Sequence, residues 1–219
     1  MKSLDFADKI IQAYERARSP TYASTKLIRG ESRSVASEIE DLLGLHLVEN
    51  NPRIDKIYIN QPLRFTGDSG KPIKPDLVIV RGGVIRALVD LKMDIGYKRK
   101  AIQATFRNSS DRIEEIKKSP EVTFKIGKGR RSSRNVSFQV SKELKFHFLC
   151  VSSGNCSKAL FSEAECAAGK LLNITFSTLV RGAHPNDHER TVSERLEICG
   201  PQIECSLPQF CNLVGEAVA

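Results

Sequence analysis

Apolar residues along this chain recur first at helical and later at strand spacing. Phe6, Ile10, Ile11, Tyr14 and Ala17 share one stripe of a helix that Ser3 can cap, and Ser19-Pro20 ends it. A polar link, residues 20–33, leads to a second helix over about 34–47, where Val35, Ile39, Leu42 and Leu43 keep helical spacing. Asn50-Asn51-Pro52 stops it. Residues 54–59 read as a strand, and residues 61–70 as an irregular connection with a turn at Gly67-Asp68-Ser69-Gly70. A hairpin spans residues 76–92. Beyond it the pattern predicts a helix over 97–118, a strand over 121–126 and a loop over 127–135. Strands at 138–140 and 144–151 follow, the second a continuous apolar run that belongs in the middle of a sheet. A helix over 157–171 and a strand over 174–180 come next, then a less regular tail from His184 with a helix at 191–198. Helices alternate with strands, which predicts a single α/β domain over residues 1–219, a central mixed β-sheet flanked by helices. Its core is expected at about 34–180, with residues 1–33 and 181–219 as additions.

The hairpin carries the chemistry. In KPDLVIVRGGVIRALVDLKMD, residues 74–94, the odd positions Leu77, Ile79, Ile85, Ala87, Val89 and Leu91 are apolar. A two-residue loop at Gly82-Gly83 would pair odd with even positions and scramble the faces. A three-residue loop, Arg81-Gly82-Gly83, pairs Ile79 with Ile85 and Leu77 with Ala87, and gathers the odd residues on one buried face. Asp76 and Asp90 are then diagonal neighbours on the other face, with Cβ atoms roughly 7 Å apart or less, and Lys92 follows on the same side. Two carboxylates can share a hard divalent cation, Mg²⁺ with Mn²⁺ able to substitute, and the Leu91 carbonyl can add an oxygen. Such a cation activates water and polarises a phosphate, and the Lys92 ammonium can orient that water or offset developing charge. The pattern therefore points to metal-dependent phosphodiester hydrolysis.

Charge agrees. The chain holds 34 Lys and Arg against 26 Asp and Glu, a net +8, which favours an anionic partner. No apolar run reaches the roughly 18–20 residues of a membrane helix. Acidic residues interrupt the N-terminal apolar pattern, so a signal peptide is not expected. The six cysteines form no C-x-x-C pair, and reduced thiols in a cytoplasmic protein are expected. Cys199, Cys205 and Cys211, spaced six apart, leave a structural metal or disulfide as the lesser alternative.

Pro75-Asp76, thirteen intervening residues and Asp90-Leu91-Lys92 resemble the PD-(D/E)xK nuclease superfamily, which includes most type II restriction endonucleases, Holliday-junction resolvases and repair nucleases. The resemblance covers about residues 34–180 and implies a restriction-endonuclease-like core in the order α-β-β-β-α-β. It implies a Mg²⁺-dependent endonuclease acting on double-stranded DNA, with Asp76 and Asp90 as metal ligands and Lys92 acting on the water. It also implies a helix carboxylate, for which Glu40 is the better choice and Glu38 the alternative. A sequence-specific restriction enzyme is the leading expectation, a homodimer if its site is palindromic, and a cognate methyltransferase would accompany it. A structure-specific repair or recombination nuclease, and a DNA-binding protein with an idle core, are the alternatives.

Lys98, Arg99 and Lys100 follow the motif, and Lys125, Lys128, Arg130, Arg131 and Arg134 surround a Gly/Ser-rich loop; both groups are candidate DNA contacts. Gln103 lacks the tyrosine that accompanies such a glutamine in some exonuclease branches. His184 and His188 stand four apart, but Pro185 argues against a shared helix face. No phosphate-binding loop, nucleophile elbow or dinucleotide fingerprint is present.

Overall fold

A computed structural model describes residues 1–18, 34–65, 72–96, 101–118, 121–126 and 134–219. The first helical stripe folds as its spacing requires: α1 (Ser3–Arg18) buries Phe6, Ile10, Ile11, Tyr14 and Ala17. α2 (Ala36–Asn50) buries Ile39, Leu43 and Leu47. Then come β1 (Lys56–Ile59), β2 (Arg64–Phe65), β3 (Leu77–Arg81), β4 (Val84–Asp94) and α3 (Ile102–Ile116). The chain continues through β5 (Glu121–Ile126), β6 (Arg134–Ser152), α4 (Lys158–Gly169), β7 (Ile174–Val180) and α5 (Val192–Ala217).

The seven strands form one sheet in the order β1-β3-β4-β6-β5-β2, with β7 also on β6. β1, β3 and β4 make an antiparallel meander. β6 runs parallel to β4, and β7 parallel to β6. A parallel neighbour needs a long crossover, which α3 and α4 provide. The sheet is thus mixed and covered on both faces. On one face Leu77, Ile79, Ala87, Val89 and Leu149 pack with Phe6 and Ile10 of α1, Leu43 of α2 and Phe210 of α5. On the other, Phe148 and Cys150 pack with Phe106 of α3 and Phe161 of α4. No helix among the described residues is long and apolar enough to cross a membrane.

The hairpin differs in register from the three-residue loop expected. Gly82 and Gly83, at φ +58° and +71°, form a two-residue turn of the kind that needs two positive φ angles. Arg81 pairs with Val84 and Val80 with Ile85, an odd–even pairing. A bulge at Arg86 then restores parity, so Ile79 meets Ala87 and Leu77 meets Val89. Ile85 consequently leaves the odd-numbered face and packs with Val78, Val80 and Leu88. β4 skips Arg86 against β6 as well, where pairing jumps from Val140 to Lys145. That excursion explains why the 138–140 and 144–151 patterns read as separate strands, although β6 is continuous over 19 residues.

The tail is also more regular than expected. α5 runs 26 residues and contains Pro201 and Pro208. Each proline removes one helical hydrogen bond. Burial of Ile203, Leu207, Phe210 and Val214 at helical spacing offsets that loss. Thr191 opens the helix with a capping box to Glu194. Residues 181–219, expected as an addition, therefore close the main core. Cys199, Cys205 and Cys211 lie on α5, where six residues turn the helix by about 240°, so the three thiols point in three directions. They share no ligand or disulfide, and all six cysteines are free.

Candidate active site

β3 begins at Leu77, and its pairing with Val89 sets Asp76 directly across from Asp90. The diagonal arrangement expected from sequence becomes a face-to-face one because of the bulge at Arg86. Asp76 Oδ2 accepts a hydrogen bond from the Leu91 main-chain N–H at 2.6 Å. Lys92 Nζ lies 2.5 Å from Asp90 Oδ2, and both side chains are largely buried. Asp90 and Lys92 share a side because alternate residues of a strand do.

Two carboxyls this close and this buried cannot both ionise freely. Burial, then the Asp90 carboxylate, pushes Asp76 up to about 7, and a hydrogen bond between the two carboxyls adds to the rise. The Leu91 N–H and the Lys92 ammonium pull the other way. Asp76 thus holds its proton well above the usual carboxylate range, while the Lys92 ammonium pairs with Asp90.

Glu40 is 6% exposed, one of the few charged side chains in the interior. Its Oε2 accepts a hydrogen bond from Asn60 Nδ2. The Asn60 main-chain N–H donates to the Asp76 carbonyl at 2.8 Å. One residue thus links the helix carboxylate to the main chain of Asp76. Asn60 manages this in the left-handed region, at φ +54°, which asparagine tolerates better than most residues. Sequence reasoning missed it; the asparagine closing β1 just before Gln61-Pro62 was the available signal. Glu38 instead pairs with Arg16 at the exposed surface, which leaves Glu40 as the inward carboxylate of α2.

Most of the other expected residues fall outside the described ones. Lys98, Arg99, Lys100, Lys128, Arg130 and Arg131 lie outside the described residues, as do the link 20–33 and the Gly67–Gly70 turn. Arg134 opens β6 and Lys125 lies in β5, but neither side chain is among those described. His184 and His188 sit in a turn after β7, not on a helix.

Among the described residues, no three His, Cys, Asp or Glu side chains are grouped to hold a metal. The donor set here is smaller: Asp76, Asp90 and the Leu91 carbonyl. It suits a hard cation that keeps several of its waters. Burial and the neighbouring Asp90 disfavour the charged form of Asp76, a cost that a cation held between the two carboxylates would offset. Compared with protein-family models, curated proteins and solved structures, the chain matches none.

Proposed function

We propose that the chain is a Mg²⁺-dependent DNA endonuclease with a core of the PD-(D/E)xK kind. The observation that carries this reading is Asp76 facing Asp90 on one hairpin, close enough to share a proton, with Lys92 on Asp90. The element order supports it: helix α2, the meander β1-β3-β4, helix α3, then β6 parallel to β4. That is the order the resemblance implies, with β2 and β5 inserted. The net charge of +8 suits a polyanionic substrate.

Asp76 and Asp90 would hold the cation, with the Leu91 carbonyl beside them, and Glu40 would orient the set through Asn60. Bound there, the cation supplies Lewis acidity at the scissile phosphate. The Lys92 ammonium donates a hydrogen bond to the attacking water, or to the phosphoryl oxygens as they gain charge. Asp90 keeps that ammonium in place. A sequence-specific restriction enzyme acting as a homodimer on double-stranded DNA is the fuller form of the proposal.

The test is digestion of unmethylated phage DNA in Mg²⁺, wild type beside Asp90→Ala. Discrete fragments from wild type alone are expected. Equal cutting by both proteins would place the chemistry elsewhere. Failure to cut phage or branched DNA would overturn the nuclease reading.

A further inference from the structure

β7 is an edge strand: among the described residues it pairs with β6 alone. The Phe146 N–H donates to the Asn173 carbonyl, and the bonded residues of a parallel ladder then alternate. Thr175 and Ser177 therefore turn their main-chain groups to β6, while Ile174, Phe176 and Thr178 turn theirs to the open side. Such a row is a template for another strand, and native edges are commonly blunted by charge, proline or a bulge. β7, ITFSTLV, has no charged residue and no proline, and its register against β6 runs unbroken from Ile174 to Thr178.

The open side also carries a groove and a knob. A groove of about 430 Å³ follows the later half of β7, lined by Phe176, Ser177 and Thr178 and by Gln202, Cys205 and Gln209 of α5. Leu172, just before the strand, is 97% exposed, far more than any other large apolar side chain among the described residues. A leucine held in water gains free energy when it is covered. Knob and groove lie at opposite ends of one strand.

A second copy of the chain fits both. In an antiparallel pair of β7 strands, the register that uses all three outward residues is centred on Phe176. Phe176 then meets Phe176 of the second copy, and Ile174 meets its Thr178. Leu172 of each copy reaches Val180 of the other, at the groove end of that strand. A two-fold axis makes this contact twice and closes the pair. Charge permits the approach. The chain carries a net +8, so two copies repel except where neutral surfaces meet. Arg181, the charged residue lining the groove, is paired with Glu165 of α4. Asp90 pairs with Phe148, and Phe148 with Phe176, so an axis at Phe176 sets the two Asp90 residues level, about 24 Å apart across the joined sheet.

We propose that two copies of the chain associate through β7, antiparallel about a two-fold axis, and join their sheets into one. The inference goes beyond the nuclease reading and does not depend on it. Its test is sedimentation of the full chain over a range of concentrations, for wild type, Leu172→Asp, Ser177→Lys and Ser177→Asp. Wild type should form a concentration-dependent dimer, and the Phe176 and Thr178 amides should gain protection from hydrogen exchange as it forms. Leu172→Asp should weaken the dimer at least about ten-fold, the effect of losing one buried leucine. It should still fold as wild type does, because Leu172 is exposed in the single chain. The two Ser177 side chains are diagonal neighbours beside the axis. Ser177→Lys and Ser177→Asp should therefore each be monomeric alone and should pair when mixed. A wild type that is monomeric at every concentration would overturn the proposal. So would a dimer that survives in Leu172→Asp and in both Ser177 variants. Either result leaves the nuclease reading to its own test.

Discussion

Asn60 donates its side-chain amide to Glu40 while its main chain donates to the carbonyl of Asp76. Asn60→Gly keeps the left-handed backbone and removes only the amide. Its stability should stay within about 1 kcal/mol of wild type. The Mg²⁺ concentration for half-maximal cleavage should rise about ten-fold, as when a ligand loses its orienting partner. Asn60→Ala should show the same Mg²⁺ shift and also melt lower, because a methyl group in that region costs about 1–2 kcal/mol. Mg²⁺ titration of the cleavage rate checks both. An Asn60→Gly curve that overlays wild type would separate Asn60 from the site.

Asp76 predicts an inverted pH dependence. Its carboxyl is raised from 3.8 to about 7, so the folded state holds that proton more tightly than the unfolded state does. This contribution to stability is complete below pH 3.8 and is lost as pH rises through about 7. In Asp76→Asn the amide oxygen can still accept from the Leu91 N–H, and the amide N–H can face Asp90. In EDTA the variant should melt above wild type at pH 8 and show less change between pH 5 and 8, and in Mg²⁺ it should cleave nothing. Thermal unfolding at the two pH values decides; a variant less stable than wild type at pH 8 would contradict a costly ionisation of Asp76.

The turn of the same hairpin should affect stability and not chemistry. Gly83 has φ +71°, and a β-carbon there would meet no neighbour within 4 Å. Gly83→Ala therefore adds backbone strain alone, about 1–2 kcal/mol. Urea unfolding should show that loss. Cleavage well below the transition should be unchanged, since the turn lies at the opposite end of the hairpin from Asp76. A fall in cleavage under those conditions would mean that the turn sets the register of Asp76 against Asp90.

Thiol reactivity should follow burial. Cys166 and Cys205 are exposed, whereas Cys150 and Cys199 are buried. Burial also pushes the Cys150 thiol up to about 12, which removes its thiolate at neutral pH. Alkylation of the native protein, followed by mass spectrometry, should label Cys166 and Cys205 first and Cys150 only on unfolding. Chelators should leave the melting temperature unchanged if α5 binds no metal through its cysteines.

Several elements were legible because local pattern alone decides them. β5 and β7 occupy Glu121–Ile126 and Ile174–Val180, where short apolar runs end at breakers. The stripe of α1 needed only spacing. The site pair Asp76 and Asp90 was legible because strand parity survives a bulge when the turn has two residues. Its geometry was not, because nothing local marks Arg86 as the residue left unpaired on both sides of β4. α5 was hidden by Pro201 and Pro208, whose local cost is outweighed by a core that the local pattern does not display. Asn60 was hidden for a related reason: its two bonds join segments 20 and 16 positions away, and only the folded chain brings them together.

The placement of α5 has a consequence for local opening. Leu77, Ile79 and Val89, the apolar side of the Asp76–Asp90 hairpin, share a core with Ile203, Leu207, Phe210 and Val214. Arg81, at the hairpin tip, donates to the main-chain carbonyls of Val218 and Ala219. Loss of α5 would leave that apolar side of the hairpin facing water, so the strand pair that carries Asp76 and Asp90 is expected to open together with α5 and not as a separate step.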